Sequence, residues 1–209
     1  MMNEYILNNI NKQLDKIEIA ICEYFGKEYS EIVNERMNNI DFVLVRENGV
    51  VSFENEEVYV GEEPICIKNE EKNIIAFPLN FFSKEENNIA FVHLLLHCIL
   101  DGYKNIEGYN ETLIDYMAND MGDILKKYRI NILANKEPVY ESNSLYTRFY
   151  PLIEDYYIEN KNKIIKNFMS DGIKVIDHDE KLLAYEVEKE FEKFCYSPHE
   201  VKENKIIRK

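Results

Sequence analysis

The sequence predicts an α+β protein, and three changes of pattern carry that prediction. Residues 4–25 set Ile6, Leu7, Ile10, Leu14, Ile17, Ile21, Tyr24 and Phe25 three and four apart, the apolar stripe of one helix. Between Asp41 and Leu79 the pattern shifts to short β-branched and aromatic runs separated by acidic turns. From Ser83 to about residue 195 the helical spacing returns.

Each element follows from its own residues. Gly26 terminates the first helix, and Ser30–Asn38 supplies a short second one. Phe42-Val43-Leu44-Val45 runs into Asn48-Gly49, a strong hairpin signal, with Val50–Phe53 as the return strand. Val58–Val60 and Ile65–Ile67 are further short strands, and Ile74–Leu79 closes the series with Pro78 at an edge or strand end. Ser83-Lys84-Glu85-Glu86 spells a capping box, in which serine accepts from the amide three residues on and the last glutamate reaches back. The helix it opens runs to about Asp101 and stops at Gly102. Asn110 caps a following helix that carries Leu113, Ile114, Met117, Met121, Ile124 and Leu125. Helical segments at about 143–169, interrupted or restarted at Pro151, and at 180–195 complete the chain. The expected organisation is a single α+β domain over residues 1–196. Its core lies at about 41–130, its C-terminal helical part at about 140–196, and a polar tail spans 197–209.

Composition excludes several classes of function. With 209 residues and 45% hydrophobic content the chain can bury an ordinary core, which separates it from disordered proteins. The formal charge of −14 repels phosphate backbones and anionic lipid, so nucleic acid and membrane are not expected partners. No stretch approaches the roughly 18 uncharged apolar residues of a membrane span, and Met1–Glu23 lacks the apolar run of a signal peptide. Cys22, Cys66, Cys98 and Cys195 are scattered without a C-x-x-C pair, which suits reduced thiols in the cytoplasm.

The stretch that carries chemistry is Phe91-Val92-His93-Leu94-Leu95-Leu96-His97-Cys98. Positions i and i+4 of a helix share one face, so the imidazoles of His93 and His97 can converge on one cation. The leucines around them make the helix apolar almost all round, which calls for deep burial. A second carboxylate-bearing helix follows, with Asn110-Glu111-Thr112-Leu113-Ile114-Asp115. His178, between Asp177 and Asp179, reads as an exposed residue before a helix, with Asp179 suited to capping it, and His199 as a solvated tail residue. Asp120 and Asp123 read as solvated helix charges.

The order of a strand at 73–79, the HxxxH helix and the helix with Asn110-Glu111-x-x-x-Asp115 resembles the zincin metallopeptidases, in which an edge strand precedes the active-site helix. The resemblance covers about residues 73–127. In the gluzincin branch H-E-x-x-H is followed by N-E-x-x-x-D, which implies zinc as cofactor, His93, His97 and Glu111 as its ligands, and Asp115 behind a histidine. In ImmA/IrrE-type zincins the segment E-x-x-A-N follows instead. Asp115-Tyr116-Met117-Ala118-Asn119 resembles that pattern and implies Asp115 as the third ligand. The resemblance also implies a zincin-like core: a small, mainly antiparallel sheet with the HxxxH helix and a following ligand helix.

The sequence departs from the family at one position. Leu94 stands where the family has the glutamate that activates water, and leucine has no group to take a proton. Loss of a positioned general base costs about 10²–10⁴ in rate. Glu107, Asp101 or a tyrosine could serve in its place, and nothing in the sequence singles one out. The expectation is therefore a zinc-metallopeptidase-like protein with impaired or lost peptidase activity, acting on a peptide or protein partner. The alternative is an acidic interaction or immunity-type protein that binds a basic partner, with both histidines as core residues.

Overall fold

The computed structural model describes residues 2–46, 49–53, 56–68, 72–83, 87–132, 138–142, 144–170, 174 and 176–195. Asn48 of the predicted turn, Lys84–Glu86 of the capping box, His199 and the polar tail lie outside the described residues. The architecture is α+β. Helices α1 (Met2–Phe25) and α2 (Ser30–Asn38) precede five strands, β1 (Ile40–Val45), β2 (Gly49–Phe53), β3 (Glu56–Val60), β4 (Ile65–Ile67) and β5 (Asn73–Pro78). Helices α3 (Asn87–Ile99), α4 (Glu107–Asp120), α5 (Gly122–Lys127), α6 (Tyr150–Met169) and α7 (His178–Cys195) follow.

The first helix buries the stripe its spacing defines, with Ile10, Ile17, Ala20 and Ile21 fully covered. It ends at Gly26, whose φ of 113° is open to glycine and strained for other residues. The Gly26 amide closes the last turn on the Cys22 carbonyl at 3.0 Å.

Strand pairing differs from the predicted hairpin. β1 runs parallel to β5, β4 runs antiparallel to β5, and β2 pairs antiparallel with β3 in a separate ladder. The Phe42–Val45 run is drawn to β5 by packing. Phe42 stacks on Phe77 and Phe91, and Phe77 stacks on Phe91 with centroids 5.5 Å apart. A parallel pair needs a crossover connection, and β2, β3 and β4 occupy it. The three-stranded sheet is thus mixed rather than mainly antiparallel, and the strand before the histidine helix is central rather than an edge. Ile75, Ala76 and Phe77 are fully buried there, and β1 and the three-residue β4 form the two edges. Pro78 ends β5, where its missing amide removes no ladder bond beyond the strand.

The stacked phenylalanines dock α3 on the sheet. Among residues 88–100 of that segment, the partly exposed ones are Ala90, His93 and His97, a single open line on an otherwise buried helix. Its C-terminal carbonyls are satisfied from outside. Arg36 donates to the Ile99 carbonyl, Lys68 to Leu100 at 3.1 Å and Asn73 to Cys98 at 3.3 Å.

α4 is the helix on which the other helices gather, with nine of its 14 residues buried. Gly108 permits the close approach of α7, since a Cβ there would lie 2.5 Å from the Phe191 ring. Asn110 does not cap this helix, which starts at Glu107. Its side chain instead accepts from the Tyr103 amide at 2.8 Å and donates to the Tyr103 carbonyl at 2.7 Å, fixing the α3–α4 loop. The segment predicted at 143–169 divides into a 3-10 turn, Leu145–Phe149, and α6, with Pro151 in the first helical turn where proline is tolerated. α7 is capped by Asp177, which accepts from the Glu180 amide at 2.9 Å, rather than by Asp179.

Glu180 is a fully buried acid that joins three elements. It accepts from Tyr103 at 2.5 Å, from Lys163 at 2.9 Å and from Tyr109 at 3.5 Å. Its replacement by alanine strands these donors, so Glu180→Ala is expected to cost about 1–3 kcal/mol, read as a lower urea midpoint with an unchanged slope. Among the described residues, no helix is long and apolar enough to cross a membrane.

Candidate metal centre

The site forms where the open line of α3 faces α4. One helical turn separates His93 from His97 on α3, and one turn separates Glu111 from Asp115 on α4. The imidazole nitrogens converge, with His93 Nε2 and His97 Nε2 2.8 Å apart. A single carboxylate oxygen, Glu111 Oε2, lies 3.1 Å from His97 Nε2 and 3.4 Å from His93 Nε2. The two acids that the sequence leaves interchangeable thus occupy different places. Glu111 faces both Nε2 atoms, whereas Asp115 Oδ1 meets the opposite nitrogen of His93, Nδ1, at 3.1 Å. That contact orients the ring: Nδ1–H donates to the aspartate, and Nε2, which carries a proton while His93 is charged, becomes the ligand atom on the His97 and Glu111 side once that proton is lost.

Asp115 is itself held rigidly. It is 2% exposed and accepts hydrogen bonds from Ser144 at 2.5 Å, Tyr150 at 2.6 Å and Ser142 at 3.2 Å. Tyr146 stacks on the His93 ring with centroids 6.1 Å apart and planes 15° from parallel. Tyr146 also stacks toward Phe191 of α7. The tyrosine- and serine-rich segment at 142–150 therefore builds the wall behind His93. The sequence marks it only as rich in tyrosine, a pattern that ordinary aromatic packing also produces. His97 and Glu111 open instead onto a cleft of about 450 Å³ lined by Lys68, Asn105, Glu107 and Asn110.

The remaining candidates are dispersed. Glu107 shares the cleft, on the exposed start of α4. Asp101 turns away to pair with Arg36 at 3.6 Å. Leu94 sits in the apolar core at 9% exposure, more than the fully buried Leu95 and Leu96 beside it. Asp120 is exposed, as expected of a solvated helix charge, and there accepts from Tyr24 at 2.8 Å and pairs with Lys161 at 3.0 Å. His178 is exposed and stands outside the cluster.

The donor set fits a metal ion. Four-coordinate zinc with bonds of about 2.0–2.1 Å places neighbouring donor atoms roughly 3.3 Å apart. The donors of His93, His97 and Glu111 stand 2.8, 3.1 and 3.4 Å from one another, so a cation needs shifts of only a few tenths of an ångström. These three residues form a group able to hold a metal ion. Two nitrogens and one oxygen suit zinc and leave a fourth position for another ligand.

The same contacts govern protonation. Burial alone would lower the His93 pKa, but Asp115 and Glu111 outweigh it and raise it from 6.5 to about 9. Burial would raise Glu111, yet the two histidines lower it from 4.5 to about 2. Asp115 is lowered in the same way, against burial, by His93, Ser144 and Tyr150. Linkage gives the signs. The Glu111 contribution to stability is present above pH 4.5 and is lost as pH falls through 2, while that of His93 is present below pH 6.5 and is lost as pH rises through 9. With chelator present, the stability of the wild type is expected to decline on both sides of the pH 4.5–6.5 window. A His93→Gln variant should lose the alkaline decline when urea midpoints are compared across pH.

Compared with protein-family models, with curated proteins and with solved structures, the chain has no match. The functional reading therefore rests on the site itself.

Proposed function

We propose that the chain is a zinc-binding, metallopeptidase-like protein of zincin type whose peptidase activity is impaired or lost. The observation that carries the reading is the convergence of His93 Nε2, His97 Nε2 and Glu111 Oε2, with Asp115 behind His93. In this reading His93, His97 and Glu111 hold the ion and Asp115 orients His93. When bound, zinc would polarise a carbonyl and acidify a water molecule. The residues around it supply less than hydrolysis needs, because the position after His93 is an apolar leucine in the core. Glu107 is the other acid that lines the open cleft, on an exposed helix end that does not fix a proton-accepting geometry. Binding of a peptide or protein in the cleft, rather than its rapid cleavage, is the resulting role. A cytoplasmic setting agrees with the free thiols Cys22, Cys66 and Cys98.

The test is a zinc titration of chelator-treated protein followed by X-ray absorption at the zinc edge. The expected result is one sub-micromolar site with two imidazole nitrogens and a carboxylate in the coordination sphere. Uptake through other residues, or no uptake, would overturn the reading and leave the acidic partner-binding alternative in its place.

A further inference from the structure

A second pair of side chains able to react with one another joins the histidine helix to the sheet, outside the group of candidate metal donors. Cys66 on the edge strand β4 and Cys98 on α3 bring their sulfur atoms to 2.9 Å, 32 residues apart in sequence. The two differ in access, since Cys98 is 6% exposed whereas Cys66 is partly open. The remaining gap to a covalent bond of ~2.05 Å is roughly 0.9 Å, within reach of small side-chain rotations. Cys98 directly follows His97, but the helical turn of about 100° between neighbours points its sulfur toward the sheet and not toward the cation donors.

We propose that Cys66 and Cys98 form an oxidisable dithiol that closes to an intramolecular disulfide, tying the edge strand β4 to the histidine helix. The co-reactant is a low-molecular-weight disulfide such as oxidised glutathione. The accessible Cys66 thiolate attacks one of its sulfurs, giving a mixed disulfide and releasing one thiolate. The Cys98 thiolate then attacks the Cys66 sulfur and releases the second. The two protein thiols lose two electrons, the reagent disulfide gains them, and the two protons end on the two released thiols. A strand of three residues paired along one side only is the weakest attachment in the sheet, so a covalent tie there has a large effect on local opening. Closing the loop also restricts the unfolded chain.

The experiment exposes the 209-residue chain, with chelator present so that metal occupancy does not enter, to oxidised glutathione, and maps thiols by alkylation and peptide mass spectrometry. The expected product is a Cys66–Cys98 linked peptide, with a Tm increase of ~5–10 °C that a reductant reverses. The product persists in Cys22→Ser and is lost in Cys66→Ser and Cys98→Ser. A stable glutathione adduct on Cys66 with Cys98 still alkylated on denaturation would overturn the proposal. So would pairing of either residue with another cysteine. Neither outcome bears on zinc binding, which is measured separately on the reduced protein.

Discussion

Replacement of His97 by alanine is expected to weaken zinc binding by about 10²–10³-fold while leaving the chain folded. Zinc sites built from four protein ligands gain about 10–16 kcal/mol, or roughly 3–4 kcal/mol for each ligand, which sets this scale. His97 is partly exposed and its imidazole faces the cleft, so truncation opens little apolar surface and costs little stability. His93→Ala should weaken binding as much but should also lower stability, because it removes the cationic partner of the buried Asp115, which keeps only the neutral donors Ser142, Ser144 and Tyr150. Asp115→Asn tests the outer contact, with an expected loss of about 10–100-fold in affinity. Calorimetric titration of the reduced, chelator-treated variants checks all three. The order His97→Ala below Asp115→Asn below wild type in affinity is the specific expectation.

Restoring a carboxylate at position 94 is expected to raise peptide hydrolysis by the zinc-loaded protein by about 10²-fold or more, the contribution of a positioned general base. Leu94 follows His93 on α3 and is the one leucine of its run that keeps any surface, at 9% exposure. A glutamate there has the longer reach needed to bring its carboxyl toward the open line of His93 and His97, and glutamate is a good helix former. The substitution also removes apolar packing and places an acid at a buried position, at an expected stability cost of about 1–3 kcal/mol. Rate and urea midpoint are therefore measured together. A Leu94→Glu protein that is folded and zinc-loaded yet shows no gain would mean that the site lacks more than a base. Leu94→Gln, which matches the shape but takes no proton, should share the stability loss and show no gain in rate.

The legible parts of this structure were those that rest on local periodicity. The stripe of α1, the exact span of α2 and the burial of the leucine-rich α3 all follow from residue spacing within one element. Pairings between distant segments were less legible. Asn48-Gly49 signals a hairpin, but Phe42 reaches Phe77 and Phe91, and this long-range stack sets β1 beside β5. Asn110 has the chemistry of a helix cap, yet it holds the loop at Tyr103 because the helix begins one turn earlier.

The site divides along the same line. His93 and His97 could be placed on one face from their spacing alone. The choice between Glu111 and Asp115 depends on the crossing of α3 and α4, which no spacing within one helix encodes. Ser142, Ser144 and Tyr150 come from a segment about 30 residues further on, and only the folded chain sets them on Asp115. Glu180 shows the same limit, since one acid in an acidic sequence carries no mark of its complete burial.

The most direct test of the central claim is the metal content of the 209-residue chain, purified without chelator and then equilibrated with limiting zinc, by elemental mass spectrometry. The account predicts one zinc per chain in the wild type and none in His93→Ala/His97→Ala, with both proteins folded by circular dichroism. A wild type that stays metal-free, or a double variant that keeps its zinc, would contradict it.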